Sequence, residues 1–232
     1  MNIENPKMLS KGNAEALSKE FIWLEKVLNA CFQEYFYHKD EGVESVSVPD
    51  LSDIESPYTD FIKKHELDWT ERIVLLIALA PYVIPKMLDV FFTKNSDYGR
   101  VFTEFGGIQS VQHKGFLPTG ETILFVLAGA DFERRFEVER ILSDDHIFFK
   151  EGILKFESER QSDPLMSGQI AVNQEYVHQF TQGSAYHPKF SSTFPAKRLI
   201  TSMTWDDLIL PDTTIGEVQD ILTWLRYNDT LM

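Results

Sequence analysis

Cysteine is almost absent from the chain, whose 232 residues include only Cys31. A single cysteine permits no disulfide within the chain. The first residues, MNIENPKMLSKGN, lack the basic start and the apolar run of a secretion signal. These two absences predict a reducing, cytoplasmic compartment.

Positive charge is scarce as well, with 22 Lys and Arg residues against 36 Asp and Glu residues and a formal net charge of -14. Contacts between Lys or Arg and the phosphate backbone supply most non-specific nucleic-acid affinity. We therefore expect no nucleic-acid partner unless basic residues gather on one face of the fold.

Motifs of several enzyme classes are missing. The chain has no G-x-S-x-G nucleophile elbow and no G-x-G-x-x-G dinucleotide turn. The six histidines show no pair at helical spacing and no companion cysteines, so we expect no metal site; they are His38, His65, His113, His146, His178 and His187. Cys31 lies on an apolar helical seam and is expected to be buried, not nucleophilic. No catalytic, cofactor-binding or metal-binding residue is predicted.

A run long enough to cross a membrane is also lacking, because a span needs about 20 apolar residues without charges. The longest apolar stretch, Asp68 to Phe92, is interrupted by Arg72 and Lys86. Apolar residues are nevertheless plentiful, at 43% with 18 Phe, and are sufficient for a packed core.

The same stretch predicts the centre of that core. Asp68 and Glu71 have the spacing of a capping box, so a helix should begin at Trp69. Every residue from Ile73 to Ala80 is apolar, which means that other elements must cover this helix on nearly all sides. Pro81 and Pro85 are expected to break the run into a helix, a short turn and a new helix near Pro85.

Near the N-terminus, apolar residues recur in steps of three and four and predict one helix from Leu17 to Tyr35. The seam comprises Leu17, Phe21, Leu24, Leu28, Cys31 and Tyr35. It fits either an amphipathic helix on the chain's own core or a short coiled-coil seam between two chains. The acidic segment from about residue 39 to 56 then predicts a surface linker, followed by a short helix from Tyr58 to His65.

The stretch GFLPTGET, Gly115 to Thr122, nearly matches the phosphate-binding pattern G-x-x-x-x-G-K-[ST]. Glu121 stands where that pattern has lysine, and its carboxylate would repel phosphate groups. We therefore expect Thr119 to cap a helix whose first turn carries Glu121. This helix should reach about Leu127 and stop at Gly129.

A second helix is predicted from Phe132 to Leu142, and a β-hairpin from His146 to Glu157 that turns around Lys150 to Gly152. Helix, turn, helix and hairpin is the order of a winged-helix module. The predicted fold is therefore α+β and mainly helical, with a winged-helix-like helix-turn-helix and β-hairpin.

The predicted second helix carries as many acids as arginines, whereas a DNA-reading helix displays basic residues. We expect Asp131 to pair with Arg135 and the module to contact protein. Farther on, Asn173 should cap a helix that stops at Gly183. An irregular aromatic strap and a strand from Lys197 to Met203 should follow.

The segment Thr204 to Met232, TWDDLILPDTTIGEVQDILTWLRYNDTLM, resembles the entry segment of AAA-type ATPases. In that family a W-x-D-L or W-D-D-I motif leads to a helix shortly before the nucleotide-binding strand and loop. The resemblance implies that Asp207 and Leu208 occupy positions near the adenine ring, although Leu210 stands where the commoner pattern has glycine. Thr214 and Glu217 can form a capping box for the helix.

Further stretches resemble the N-terminal region of a group of bacterial AAA-type ATPases, and together they cover most of the chain from about Leu67 onward. They are DWTERIVLLIALAP, FTEFGG, GFLPTGETILFVLAG, and FPAK with the following WDDLIL. The resemblance implies an N-terminal domain over residues 1–203 and an entry segment over residues 204–232 that leads to an ATPase module. The Walker motifs and the arginine finger of that module are not in this sequence.

We therefore expect a non-enzymatic domain that regulates an AAA-type ATPase or engages its substrates or partners. Its partner would be another protein or the ATPase module of its own full-length chain, and a homo-oligomer is left open. One alternative is a free-standing winged-helix DNA-binding regulator, which requires a basic surface stripe. Another is an enzyme whose site is assembled from scattered acids and histidines, which requires a deep pocket lined by them.

Overall fold

The computed structural model describes residues 6–38, 42–157, 162–184, 186, 207 and 209–231. Its residues group into two compact units, Met1–Tyr186 and His187–Met232. The sequence placed the boundary later, between residues 203 and 204. The strand expected from Lys197 to Met203 lies outside the described residues.

The first unit contains most of the regular structure. Its helices are α1 (Pro6–Tyr37), α2 (Pro57–Lys64), α3 (Trp69–Val83), α4 (Gly120–Ala128), α5 (Phe132–Ile141), α6 (Ile147–Lys150) and α7 (Gln174–Gln182). Strands β1 (Leu154–Glu157) and β2 (Gln169–Val172) pair antiparallel, with Leu154 opposite Val172 and Glu157 opposite Gln169. Short 3-10 helices cover Val43–Ser45, Pro85–Phe92, Thr103–Phe105 and Leu165–Ser167.

The second unit contains helix α8 (Asp212–Leu231). The prediction of a mainly helical α+β fold is confirmed. The helix begins two residues before Thr214, which lies inside its first turn and donates its backbone N–H to the Pro211 carbonyl over 2.9 Å. The expected capping box that begins at Thr214 is therefore wrong.

Helix α3 lies at the centre of the first unit, as predicted. The Glu71 amide donates to Asp68 Oδ1 over 2.8 Å and the Asp68 amide donates to Glu71 Oε2 over 2.7 Å, which completes the capping box and starts the helix at Trp69. Every residue from Ile73 to Ala80 is 0% exposed. Helices α1, α4 and α7, strand β2 and the 3-10 helix Pro85–Phe92 surround this stretch.

Pro81 does not end α3, contrary to the sequence prediction. The helix continues to Val83, and the chain turns by 106° before the 3-10 helix that begins at Pro85. Among the described residues, no single helix is long and apolar enough to cross a membrane, although α3 and this 3-10 helix reach that length and apolar content together.

The apolar seam of α1 packs on the chain's own core. Leu17, Phe21, Leu24, Leu28 and Cys31 are all buried in that core. This confirms the amphipathic-helix interpretation, and the coiled-coil alternative is wrong because the seam is already covered. The C-terminal part of α1 joins an aromatic cluster, in which Phe32, Tyr35, Phe105 and Phe125 meet mostly edge to face.

A buried polar network ties α1 to α2 and α3. Arg72 Nε donates to Glu20 Oε1 over 3.0 Å, and the Tyr58 hydroxyl donates to the same oxygen over 3.0 Å. The Arg72 guanidinium also lies 5.2 Å from the centroid of the Trp23 ring. Burial raises the pKa of Glu20, and Arg72 opposes that rise. The network therefore keeps a carboxylate beside the core only because a cation accompanies it.

The acidic segment before α2 is more closely packed than a surface linker. Val43, Leu51 and Ile54 are buried in the core cluster. Ser56 accepts a hydrogen bond from the Thr59 amide and caps α2, so the short helix predicted from Tyr58 to His65 is confirmed. Residues 39–41 lie outside the described range.

The predicted hairpin is wrong in its first half. Residues Ile147–Lys150 form helix α6, because His146 Nδ1 accepts the Phe148 amide and caps a helical turn. Only the second half, β1, is a strand, and it pairs with β2 farther along the chain. The helix-turn-helix before it is confirmed: α4 ends at Ala128, Gly129 turns with φ of +54°, and α5 begins at Phe132.

We predict that Leu76→Ala lowers the free energy of unfolding by about 2 to 5 kcal/mol, from lost transfer energy and the cavity left behind. Leu76 is 0% exposed, whereas Leu222 in α8 is 37% exposed. Leu222→Ala should therefore cost clearly less. Urea unfolding of both variants measures the two losses. Equal losses would mean that α8 packs as tightly as the core of the first unit.

A matched pair of glycine substitutions tests the packing of α1. A Cβ at Gly12 would lie 2.5 Å from the Glu55 carbonyl oxygen, whereas a Cβ at Gly216 in α8 meets nothing within 4 Å. Both changes to alanine gain about 1 kcal/mol of helix propensity. We expect Gly216→Ala to stabilise α8, and Gly12→Ala to destabilise the fold because overpacking costs about 1 to 3 kcal/mol. Thermal unfolding followed by circular dichroism should show opposite signs, and stabilisation by Gly12→Ala would contradict the packing.

Candidate functional site

A cleft of about 650 Å³ lies between α1 and α4. We call it the α1–α4 cleft. The C-terminal half of α1, residues 42–44 and the turn from α4 into α5 contribute its walls. Its lining residues are Cys31, Glu34, Tyr35, His38, Gly42, Val43, Glu44, Phe125, Val126, Leu127, Ala128, Gly129, Ala130, Asp131 and Arg134.

The floor of the cleft is apolar. Cys31 comes from the buried seam of α1, and Phe125 and Leu127 come from the last turns of α4. Gly129 ends α4 with a left-handed φ, and its amide donates to the Leu124 and Phe125 carbonyls. Such a turn favours glycine because other residues are strained there. The turn brings the C-terminal end of α4 to the edge of the cleft.

The rim of the cleft is mainly acidic, with Glu34, Glu44 and Asp131 facing a single arginine, Arg134. Arg134 is already engaged, since its Nη2 lies 3.4 Å from Glu44 Oε1 and its Nη1 lies 3.2 Å from Glu137 Oε2. Its guanidinium also sits 5.5 Å from the centroid of the Trp69 ring. Three carboxylates against one arginine leave the rim with a net negative charge, so the rim favours cations.

The two reactive side chains in the cleft are held neutral. Burial, helped by Glu34, raises the pKa of Cys31 to about 12, and its thiol lies 3.9 Å from the Phe125 carbonyl oxygen. Burial and the hydrogen bond to Glu104 raise the pKa of Tyr35 to about 12 as well. A protonated thiol is a poor nucleophile. Cys31 therefore forms part of an apolar floor, as the sequence predicted.

The near match to a phosphate-binding loop forms a helix cap, as predicted. Thr119 Oγ1 accepts the Thr122 amide over 3.4 Å and the Gly107 amide over 3.1 Å. Thr122 in turn donates its hydroxyl to the Phe105 carbonyl over 2.9 Å. The polar groups that a phosphate would use are therefore occupied by the protein itself.

Two arginines of α5, Arg134 and Arg135, are paired with acids, but one partner differs from the prediction. Arg135 Nη2 binds Glu121 Oε1 over 2.7 Å, instead of binding Asp131. Asp131 caps α5 by accepting the Arg134 amide over 3.1 Å. The expected Asp131–Arg135 pair is wrong because the cap occupies Asp131 and α4 presents Glu121 to Arg135.

The described histidines contact different partners. His146 Nε2 lies 2.9 Å from Glu71 Oε1, His65 Nε2 lies 3.8 Å from Glu151 Oε2, and His38 lines the cleft. Within the described ranges, no group of three or more His, Cys, Asp or Glu residues is placed to hold a metal ion.

Sequence reasoning did not identify the cleft, because three separate segments line it. The turn at Gly129 followed by Asp131 was the one local signal for it.

Several described apolar side chains are exposed in the segment that resembles an ATPase entry segment. Asp207 and Ile209 are exposed, Ile209 at 98%, while Leu208 lies outside the described residues. In α8, the exposed large apolar side chains among the described residues are between 36% and 58% exposed; they are Ile215, Ile221, Leu222, Trp224 and Tyr227.

Comparisons of the chain with protein-family models, with curated proteins and with solved structures found no match.

We predict that the chain does not retain random duplex DNA at physiological salt, because Arg134 and Arg135 are bound by Glu44, Glu137 and Glu121. A gel-shift titration measures retention. The triple variant Glu44→Gln, Glu121→Gln, Glu137→Gln removes the ion-pair partners of both arginines and is the matched comparison; it should bind more than the parent chain. Sub-micromolar retention by the parent chain would instead favour the DNA-binding regulator.

Proposed function

We propose that this chain is a non-catalytic, protein-binding domain, the regulatory or partner-engaging N-terminal region of a cytoplasmic AAA-type ATPase. The observation that carries the proposal is the uncovered apolar surface of α8, a 20-residue helix with Trp224 54% exposed and Tyr227 57% exposed. Exposed apolar patches of this kind mark surfaces that contact other proteins. The segment is also the one whose sequence resembles the entry to an ATPase module.

The electrostatics support a protein partner over a nucleic acid. The chain carries a net charge of -14, and the two arginines at the start of α5 are held in ion pairs. Neither feature attracts a phosphate backbone. A helix with exposed aromatic side chains can dock in a groove of another protein.

The chemistry of the α1–α4 cleft supports binding over catalysis. Its thiol has a pKa raised to about 12 and is therefore protonated near neutral pH. General acid and base catalysis needs a group that titrates near the operating pH and reaches the substrate. His38 is exposed, and no hydrogen bond or ion pair joins it to another side chain in the described part of the chain.

The reading frame of the gene after Met232 tests the proposal. We expect a phosphate-binding loop with its lysine shortly after α8, followed by an acidic strand. A frame that ends at Met232 would overturn the assignment to an ATPase. A frame that continues into an unrelated domain would do the same.

We further predict that the chain neither hydrolyses ATP nor binds it tightly. Calorimetry with Mg-ATP should show no binding in the low micromolar range. Glu121→Lys is the sharper variant, because it completes the pattern G-x-x-x-x-G-K-[ST] over Gly115 to Thr122. It should still bind no ATP, because the hydroxyl groups of Thr119 and Thr122 already form hydrogen bonds in the helix cap and with the Gly107 amide and the Phe105 carbonyl. Tight binding by either chain would contradict this account of the loop.

A further inference from the structure

The α1–α4 cleft has the shape and surface of a side-chain pocket. Its volume is about 650 Å³, and protein sites that bind small groups span about 300 to 1,000 Å³ with mostly apolar walls. The floor formed by Cys31, Phe125 and Leu127 offers apolar surface to a ligand, with Tyr35 and Ala128 at its sides. An apolar group that enters the cleft loses contact with water, which favours binding.

The rim adds a preference for positive charge. Among the residues that the structure describes, Glu34 has no ion-pair partner, whereas Glu44 shares Arg134 with Glu137. The C-terminal end of α4 contributes a partial negative charge, which the adjacent N-terminal end of α5 partly offsets. A cation beside Glu34 and the end of α4 therefore gains attraction without displacing an existing partner of Glu34.

We propose that the α1–α4 cleft docks a segment of a partner protein that presents an aromatic or aliphatic side chain followed directly by arginine or lysine. The apolar side chain fills the space above Cys31, and the cation lies between Glu34 and the end of α4. This inference rests on the proposed protein-binding function and names the chemistry of the partner.

The charge of the chain argues against other occupants. A second copy also carries a net charge of -14, so its approach to an acidic rim is unfavourable. A nucleic acid or another polyanion is disfavoured for the same reason, because the single rim arginine is already paired. A basic segment with an apolar anchor is complementary to both the rim and the floor.

Three short probes separate the contributions of anchor and charge. We would titrate N-acetyl-Phe-Arg-amide, N-acetyl-Phe-Glu-amide and N-acetyl-Gly-Arg-amide into the ¹⁵N-labelled chain and follow backbone amide shifts. Only the Phe-Arg probe should produce saturable shifts, and these should centre on residues 125–131. Saturation by Phe-Glu, shifts centred elsewhere, or no saturable shift with Phe-Arg would overturn the inference.

Substitutions then place the probe in the cleft. Ala130→Trp fills the cleft from its exposed edge and should abolish the Phe-Arg shifts. Glu34→Lys should weaken Phe-Arg binding by about three- to tenfold. Glu15→Lys is its matched control, because Glu15 is also exposed on α1, lies outside the cleft and changes the net charge equally. It should leave binding nearly unchanged, and an equal loss in both variants would overturn the assignment of charge to the rim.

The folding of each variant is checked by circular dichroism. If Ala130→Trp does not fold, Glu34→Lys alone tests whether the probe binds in the cleft.

The outcome of the probe titration can be separated from the test of the proposed function. If the probe does not bind and the reading frame does contain an ATPase module, the cleft is ruled out as a docking site and the proposed function stands. Probe binding without such a module would leave the cleft as a docking site of another protein.

Discussion

The complete burial of α3 is the constraint on which the rest of the first unit depends. From Ile73 to Ala80 the helix offers no polar side chain to water, and each of these residues is 0% exposed. A helix that is apolar all round is stable only when other elements enclose it. The positions of α1, α4, α7, β2 and the 3-10 helix Pro85–Phe92 around α3 follow from this requirement.

The polar first turn of α3 determines how its neighbours are oriented. Glu71 caps the helix with Asp68 and also binds His146, while Arg72 binds Glu20 of α1. Burial disfavours the charge on Glu20 and Arg72 favours it. Apolar packing is not directional, whereas these contacts require particular atoms to meet. They therefore fix the rotation of α1 and the start of α6 relative to α3.

The cleft is a consequence of how α4 meets α1. Phe125 packs in the aromatic cluster with Tyr35 and Phe105, which brings the end of α4 beside the C-terminal half of α1. The turn at Gly129 then leads the chain away, so the last turn of α4 remains beside open space. The apolar floor comes from the core, and the acidic rim comes from the segments that leave it. This combination supports the proposal of a basic, apolar partner segment, while the exposed face of α8 supports a second contact with protein.

The sequence by itself determined several features whose partners lie within one turn of the chain, although the capping box expected at Thr214 and the Asp131–Arg135 pair were wrong. The caps at Asp68, Thr119 and Asn173 were predicted correctly, because each needs only a side chain and an amide two or three residues later. The burial of α3 followed from its composition alone. Tertiary structure decided the rest: the short segment Ile147–Lys150 has no periodicity that separates helix from strand, and β1 pairs with β2 across an intervening segment. The pairing of Arg135 with Glu121 and the lining of the cleft depend on residues far apart in the chain, whose distances only the packing of helices sets.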